Sequence, residues 1–175
     1  KYGAREIYFD DDCFNASVNR VFEVCSAIEK SGIKIPWITE MTCNNVTLEM
    51  LEAMKRAGCI KILYGVESGS QAILDSSKKR ITLQEIRDAF KLTRKAGIKS
   101  HATFMFGLPG ETEETIKDTM KFARELNPDT VGDVLLLGYP LAPRTILKHA
   151  RALLPGEEIV VGVARGTQSS HIVPL

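Results

Sequence analysis

The chain has 175 residues, of which 44% are hydrophobic and 26% charged, and its formal net charge is +1. This balance is typical of a globular protein and argues against a surface built mainly to bind nucleic acid or anionic membranes. No apolar run approaches the roughly 20 residues of a membrane-spanning helix, and no secretory leader pattern is evident. We therefore expect one domain in the reducing cytoplasm, with free thiols at Cys13, Cys25, Cys43 and Cys59.

Strand-like and helix-like segments alternate along the chain. The predicted strands are 6–9, 33–38, 60–66, 99–106, 133–138 and 158–164. The predicted helices are 15–30, 48–57, 69–77, 83–96, 113–126 and 143–154. Glycine, which tolerates a left-handed conformation, ends four helices just before a strand, at Gly32, Gly58, Gly97 and Gly156. Pro36 cannot donate to a ladder, so an irregular or edge position is expected there.

Short apolar strands that alternate with helices predict an α/β fold with a parallel sheet and right-handed crossovers. This pattern fits a partial TIM-like barrel and, alternatively, an open doubly wound sheet of the flavodoxin type. In both folds the site forms in the loops after the strands. Those loops are 10–15, 39–46, 67–70, 107–112, 138–143 and 165–170.

Two of these loops carry unusual carboxylates. In "FDDDCF" three successive aspartates follow the first strand, where they repel one another unless they are solvated, protonated or bound to a cation. The stretch is either a solvated loop or a site for an amine or a metal. In "YGVESGS" Glu67 ends an apolar strand, a place from which a carboxylate can accept from a ribose diol. Ser68 or Ser70 can instead cap the helix that follows.

A third loop lies in "HATFMFGLPGETEET". Gly107, Pro109 and Gly110 end the apolar strand, and glycines let a backbone approach a flat ligand closely. No lysine follows as it does in a phosphate-binding P-loop. Thr112 is placed to cap the next helix, whose first turn carries two glutamates that suit the helix dipole.

Several stretches, in the same order, resemble the radical S-adenosylmethionine (radical SAM) superfamily. They are "REIYFDDDCF", "VTLEMLEAMKRAGCIKILYGVESGSQAIL", "AGIKSHATFMFGLPGETEETIKDTMKFARELNPD" and "YP" at 139–140. The resemblance covers about residues 5–140 and is greatest to the branch that is often fused to a cobalamin-binding domain. It implies a partial (β/α)6 barrel and an S-adenosylmethionine site.

By this resemblance, residues from four segments of the chain border the cofactor. Asp11 and Asp12 match the region that holds the methionyl amino group, and Glu67 and Ser68 match the region that contacts ribose and carboxylate. The loop beside the adenine corresponds to Gly107 through Glu111 and includes Gly110, and Tyr139 of the last matching strand borders the adenine as well.

The sequence also departs from the family. The three-cysteine C-x-x-x-C-x-x-C loop that ligates a [4Fe–4S] cluster is absent, and we expect its place to precede Lys1. Related sequences commonly have an arginine near Thr42, which is lacking here. We therefore expect S-adenosylmethionine to bind weakly or not at all. A cluster is expected only if the cysteine segment is supplied, because the spacing of the four cysteines lets at most two thiols meet.

Residues 131–175 match the family poorly and are predicted to form an additional βαβ segment of uncertain origin, whereas 1–130 are family-like. This division suggests a fragment or an engineered chimera joined near 128–133. Three functions stay open. The chain is a scaffold that keeps part of a nucleotide-like ligand pocket and is inactive alone, or a radical enzyme core that needs a missing cluster segment, or an unrelated α/β ligand-binding protein or enzyme with a site at 165–171.

Overall fold

The computed structural model describes residues 3–11, 13–135, 157–164 and 167–174. The strands are β1 Ile7–Phe9, β2 Trp37–Met41, β3 Cys59–Glu67, β4 Lys99–Phe106, β5 Thr130–Leu135, β6 Glu157–Ala164 and β7 Thr167–Pro174. The helices are α1 Val18–Ser31, α2 Leu48–Arg56, α3 Gln71–Ser76, α4 Leu83–Lys95 and α5 Glu113–Leu126. By their contacts the residues form two compact units, Lys1–Leu136 and Leu137–Leu175.

The first unit is built on a five-stranded sheet in the order β1-β2-β3-β4-β5, and every neighbouring pair is parallel. Strands that follow one another in both sequence and space, with right-handed crossovers, place all helices on one face of the sheet. A doubly wound sheet would reverse its strand order at a switch point, and this sheet does not. The prediction of alternating βα units in a barrel-like parallel sheet is confirmed, and the flavodoxin-type alternative is wrong.

The helices begin where the sequence predicts caps. Thr47 accepts a hydrogen bond from the backbone of Met50. Thr82 and Glu85 form a reciprocal capping box, and Thr112 forms another with Thr115. These caps satisfy amide hydrogens that the first helical turn leaves free. They fix the point at which each loop from the sheet enters its helix.

The core lies between the sheet and its helices, and alternate strand residues enter it. In β2, for example, Trp37, Thr39 and Met41 are buried while the residues between them are partly exposed. The largest fully buried side chains include Trp37, Tyr64, Phe90 and Phe104. Burying one such side chain contributes on the order of 1.5–3 kcal/mol, so this face of the sheet stabilises the unit and leaves the opposite face open.

The second strand begins later than predicted. We expected it at 33–38, but β2 starts at Trp37, directly after Pro36. The backbone of Ile7 donates to the carbonyl oxygen of Pro36 at 3.0 Å. Proline can accept this bond but cannot donate the next one, so the ladder starts after it. Ile33, which we placed in the strand, is exposed.

The last two strands also differ from the prediction. The segment at 158–164 is a strand, but β6 pairs antiparallel with β7, with Glu157 opposite Pro174 and Ala164 opposite Thr167. Within the described residues β6 is not part of the parallel sheet. Residues 167–170 belong to β7, so our interpretation of 165–170 as a loop at the sheet edge is wrong. The predicted helix 143–154 lies outside the described residues.

Among the residues that the structure describes, no helix is both long and apolar enough to cross a bilayer.

Candidate functional site at the carboxyl edge of the sheet

The loops after β1, β2, β3 and β4 lie at the same edge, because these strands run parallel. This edge, which we call the carboxyl edge, therefore carries Asp11, Glu67 and the loop 107–112. The remaining predicted site residues Asp12 and Tyr139 lie outside the described residues.

Asp11 is already engaged by a cation and a backbone amide. Arg20, in the first turn of α1, places its Nη2 2.9 Å from Asp11 Oδ2. The backbone N–H of Cys13 donates to Asp11 Oδ1 at 3.3 Å. A ligand amine would compete with Arg20 for this carboxylate, which weakens any contribution of Asp11 to binding.

Asn15 joins the loops that follow β1 and β2. It is buried, and its Nδ2 donates to the carbonyl oxygens of Thr42 at 3.0 Å and of Asn44 at 3.1 Å. Its Oδ1 accepts from the backbone N–H of Thr42 at 3.0 Å. The same Oδ1 also lies 3.3 Å from Thr42 Oγ1 and 3.4 Å from Cys13 Sγ, so all hydrogen-bonding groups of this amide are used locally. Sequence reasoning missed Asn15, because its partners lie 27 and 29 residues away.

Glu67 sits in an unusual backbone conformation. It ends β3 with φ at 67°, in the left-handed region, and the pairing register with β4 shifts between Gly65 and Glu67. Such a bulge redirects the side chain that follows it. Left-handed backbone at a glutamate carries strain, a feature that clusters at functional sites.

The carboxylate of Glu67 forms an ion pair with Lys79, and both side chains are largely shielded from solvent. Gly65 makes room for the pair, because a Cβ at this position would lie 2.8 Å from Glu67 Oε1 and 3.0 Å from Lys79 Nζ. Sequence reasoning missed Lys79, which stands in the charged run "SSKKR" with no feature that distinguishes it from its neighbours.

Ser68 is fully buried, and its hydroxyl bonds within the protein. Its Oγ lies 3.2 Å from Thr119 Oγ1 and accepts from the backbone N–H of Ser70 at 3.1 Å. Ser70 is the N-cap residue of α3, but its side chain makes no capping bond. Ser68 thus shapes the loop 67–70, and a direct contact with a ligand stays a prediction.

The loop 107–112 is closed by its own carboxylate. Gly107 and Gly110 both have positive φ, 88° and 84°. Glu111 Oε2 accepts from the backbone N–H of Gly107 at 2.6 Å, a short charge-assisted bond. Glu111 Oε1 is buried and has no hydrogen-bond partner among the described residues. The bond from Gly107 to Glu111 therefore holds the loop in one shape, and Glu111 Oε1 stays available as an acceptor.

Polar side chains also line the open face of the sheet. The hydroxyl of Tyr8 donates to Glu40, and this bond, with some burial, raises the pKa of Tyr8 to about 12. His101 Nδ1 lies 2.8 Å from Thr130 Oγ1. Burial lowers the pKa of His101, and nearby Lys61 lowers it further. This face thus offers a neutral phenol and a neutral imidazole at pH 7.

The cysteines do not meet the requirements of an iron–sulfur cluster. Burial raises the pKa of Cys25 to about 11 and of Cys59 to about 12, and it raises the pKa of Cys43 as well. A cluster needs converging thiolates. Within the described part of the chain, which includes all four cysteines, no three Cys, His, Asp or Glu side chains form a group that could hold a metal.

Comparison with known proteins agrees with this fold. The model of the Radical SAM superfamily matches residues 1–123, so the chain belongs to the radical SAM superfamily. The family resemblance expected from the sequence is confirmed, and the alternative of an unrelated α/β protein is wrong.

The chain is 34% identical over 140 residues to an uncharacterized methyltransferase of Pyrococcus horikoshii, covering 80% of this chain and 30% of that protein. It is 31% identical over 133 residues to an anaerobic magnesium-protoporphyrin IX monomethyl ester cyclase of Cereibacter sphaeroides, covering 73% and 22%. The chain thus spans less than a third of the length of these relatives.

Among solved structures, the radical S-adenosylmethionine methyltransferase TsrM of Kitasatospora setae, with cobalamin and a [4Fe–4S] cluster bound, superposes with a TM-score of 0.69. The sequence identity is 20%, and the match covers 76% of this chain and 28% of that one. At this identity the similarity establishes the fold of the matched region.

Proposed function

We propose that the carboxyl edge of the parallel sheet is the S-adenosylmethionine-binding side of a radical SAM enzyme core, and that the 175-residue chain alone binds this cofactor weakly and does not cleave it. One observation carries the proposal: parallel pairing brings a strained glutamate, its lysine partner and a carboxylate-closed glycine loop to one edge. The family match to residues 1–123 supports it.

The charges at this edge suggest which residue would bind each part of the cofactor. Glu67 offers carboxylate oxygens to a ribose diol, and Lys79 offers an ammonium group to the methionyl carboxylate. The backbone of Gly107 and Gly110 can lie against the adenine because neither residue has a side chain. Lys79 would then supply the positive partner that the sequence lacks near Thr42.

Weak binding follows from the contacts these groups already make. Glu67 is paired with Lys79, and Asp11 with Arg20, so the ligand must replace two existing ion pairs. A dissociation constant near 1 mM corresponds to only about 4 kcal/mol, whereas about 1 μM needs about 8 kcal/mol. We expect the millimolar range.

When bound, a [4Fe–4S] cluster of this superfamily would supply the one electron needed to break the C5′–S bond of S-adenosylmethionine, giving methionine and a 5′-deoxyadenosyl radical. The cysteines of this chain do not fit that cluster, because three are buried and no three ligating groups converge in the described part. We therefore propose that the chain alone generates no radical.

The binding proposal is tested by titrating the ¹⁵N-labelled chain with S-adenosylmethionine and following backbone amide shifts. We expect shifts at Glu67, Gly107 and Gly110, and none at Gly58 or Gly97 at the opposite edge. Glu67→Gln should abolish them. Glu125→Gln is the matched control, since it also removes a carboxylate from an ion pair but lies at the end of α5. Unchanged Gly107 and Gly110 shifts at about 5 mM ligand, where most sites would be filled at a millimolar constant, would refute the proposal.

The catalytic part is tested separately. The chain is treated anaerobically with iron and sulfide, then incubated with dithionite and S-adenosylmethionine. We expect no cluster absorption and no 5′-deoxyadenosine above a protein-free control. Production of 5′-deoxyadenosine by the chain alone would overturn the statement about radical formation and leave the binding proposal intact.

A further inference from the structure

We propose that Thr119 of α5 is a positioning residue that holds the loop 67–70 and the loop 107–112 in a fixed relation, and so sets the distance between Glu67 and the glycine loop. The inference rests on the proposed function, because it concerns the geometry of that same site. Thr119 is not among the site residues predicted from the sequence, and it lies in the helix rather than in either loop.

The hydroxyl of Thr119 has a single arrangement that satisfies its neighbours. It is 1% exposed, and its Oγ1 donates to the carbonyl oxygen of Thr115 at 2.9 Å. A hydroxyl has one hydrogen and two lone pairs. Both lone pairs are therefore left to accept, one from the backbone N–H of Gly69 at 3.0 Å and one from Ser68 Oγ at 3.2 Å.

Ser68 continues this series of hydrogen bonds in the same donor-to-acceptor direction. Because Ser68 donates to Thr119, its oxygen is free to accept from the backbone N–H of Ser70 at 3.1 Å. Hydrogen bonds thus run in one direction from Ser70 through Ser68 and Thr119 to the backbone of α5. A chain of bonds in which every buried group is satisfied specifies one geometry, and this one fixes the residues directly after Glu67.

Packing at Gly69 makes the contact rigid. A Cβ at Gly69 would lie 2.6 Å from Thr119 Cα and 2.6 Å from Phe122 Cβ, closer than side-chain carbons approach. The loop backbone therefore rests directly on the backbone of α5. This close approach requires glycine, and it leaves little freedom for the loop to slide along the helix.

The same helix fixes the glycine loop at its other end. α5 begins at Glu113, and Thr112 caps it through the backbone of Thr115, the residue whose carbonyl oxygen accepts from Thr119. The two loops are also linked through α3, since Ser76 shares its hydroxyl hydrogen between the carbonyl oxygen of Ile73 at 2.9 Å and that of Pro109 at 3.3 Å. About two helical turns of α5 therefore connect the residues that border the two halves of the site.

The test uses Thr119→Val, which keeps the shape and removes the hydroxyl, and Thr119→Ser, which restores it. Thr93→Val is the matched control. Thr93 is a buried threonine of α4 whose Oγ1 donates to Ala89 O at 2.7 Å and contacts Tyr64 at 2.8 Å, so it makes the same kinds of bond. Thr93 lies near the end of its helix, remote from the carboxyl edge.

The first readout needs no ligand. In Thr119→Val we expect the amide resonances of Gly107 and Gly110 to move or broaden, in Thr119→Ser to return, and in Thr93→Val to stay while stability falls. The inference is overturned if Thr119→Val lowers stability as Thr93→Val does but leaves Gly107 and Gly110 unchanged. If Thr119→Val does not fold, Ser68→Ala is used with the same two resonances and the same criterion.

The second readout is affinity for S-adenosylmethionine. We expect Thr119→Val to weaken binding about 5- to 10-fold, which is the effect of losing one hydrogen bond to the ligand through misplacement of the loop. We expect Thr119→Ser to restore the affinity. If the unmodified chain does not bind, the proposed function fails, while the ligand-free comparison still decides whether Thr119 couples the loops. If it binds and Thr119→Val binds equally well, the positioning role fails alone.

Discussion

The two edges of the parallel sheet are built from different interactions. At the amino edge, apolar packing dominates: Trp37, the first residue of β2, is fully buried, and its Nε1 donates to the carbonyl oxygen of Ala57 at 2.8 Å. At the carboxyl edge, ion pairs, a bulge and a left-handed glutamate replace packing. The amino edge therefore contributes stability, and the carboxyl edge holds strained or charged groups that a ligand can engage.

Because the two edges differ in this way, substitutions should separate stability from binding. Changes at Trp37 should affect folding, whereas changes around Glu67 should affect the ligand and leave folding almost as it was.

Trp37→Ala should lower the free energy of unfolding by about 3–5 kcal/mol, because it leaves a cavity in place of a large, fully buried side chain. Trp37 is 1% exposed. Urea unfolding followed by far-ultraviolet circular dichroism measures the change, since the substitution removes the only tryptophan. Trp37→Phe serves as the milder comparison. A loss below about 1 kcal/mol would contradict the view that the amino edge carries the stability.

Glu67→Gly should change the free energy of unfolding by less than about 1 kcal/mol while abolishing the ligand-dependent shifts. Relief of the left-handed strain, on the order of 1–2 kcal/mol, offsets the loss of the pair with Lys79 and the greater freedom of glycine in the unfolded chain. Urea unfolding and the amide titration are measured on separate portions of the same protein preparation. A large destabilisation would show that Glu67 is mainly a structural residue.

Gly65→Ala should weaken S-adenosylmethionine binding several-fold with a smaller effect on stability, about 0.5 kcal/mol or less. The added methyl group would meet Glu67 Oε1 and Lys79 Nζ, which are the ends of flexible side chains and can swing aside. The pair is then displaced without a backbone shift. Gly97→Ala is not a suitable control because its φ is 70°. Unchanged affinity in Gly65→Ala would show that ligand binding does not depend on the geometry of the ion pair between Glu67 and Lys79.

Acid should destabilise the unit slightly through His101. Its pKa in the folded state lies below the ordinary 6.5, chiefly because of burial, so the unfolded chain takes up the proton more readily. Its contribution to stability is present above pH 6.5 and is lost as the pH falls through the folded pKa. Comparing urea midpoints at about pH 7.5 and about pH 5.5 in the parent and in His101→Gln should give a smaller pH effect in the variant. An equal effect would assign the acid sensitivity to other groups.

The sequence predicted local features well and tertiary partners poorly. Caps at Thr82 and Thr112, and the strand ending at Glu67, depend on residues close in sequence, and the structure places them as expected. The ion pair of Glu67 with Lys79 was missed, since a carboxylate at a strand end does not indicate which lysine reaches it. The family resemblance pointed to the same edge but named no partner for its charges.

The two strands that were misjudged have local causes. The apolar pattern from Ile33 suggested a strand, but the proline decided where the ladder could begin. The segment that became β6 has the composition of a parallel strand, and periodicity carries no information about which strand will pair with it or in which direction. Its partner β7 begins only three residues after β6 ends, so this pairing is local, and the prediction of a loop at 165–170 overlooked the second strand.

The uneven burial of the cysteines has a practical consequence for labelling. Cys25, Cys43 and Cys59 are buried and have raised pKa values, and a thiol reagent attacks the accessible thiolate form. Cys13 is partly exposed and stands beside Asp11, at the end of the sheet where the ligand is proposed to bind. A maleimide dye or spin label added to the folded, unmutated chain at neutral pH should therefore attach at Cys13 first and report on that edge.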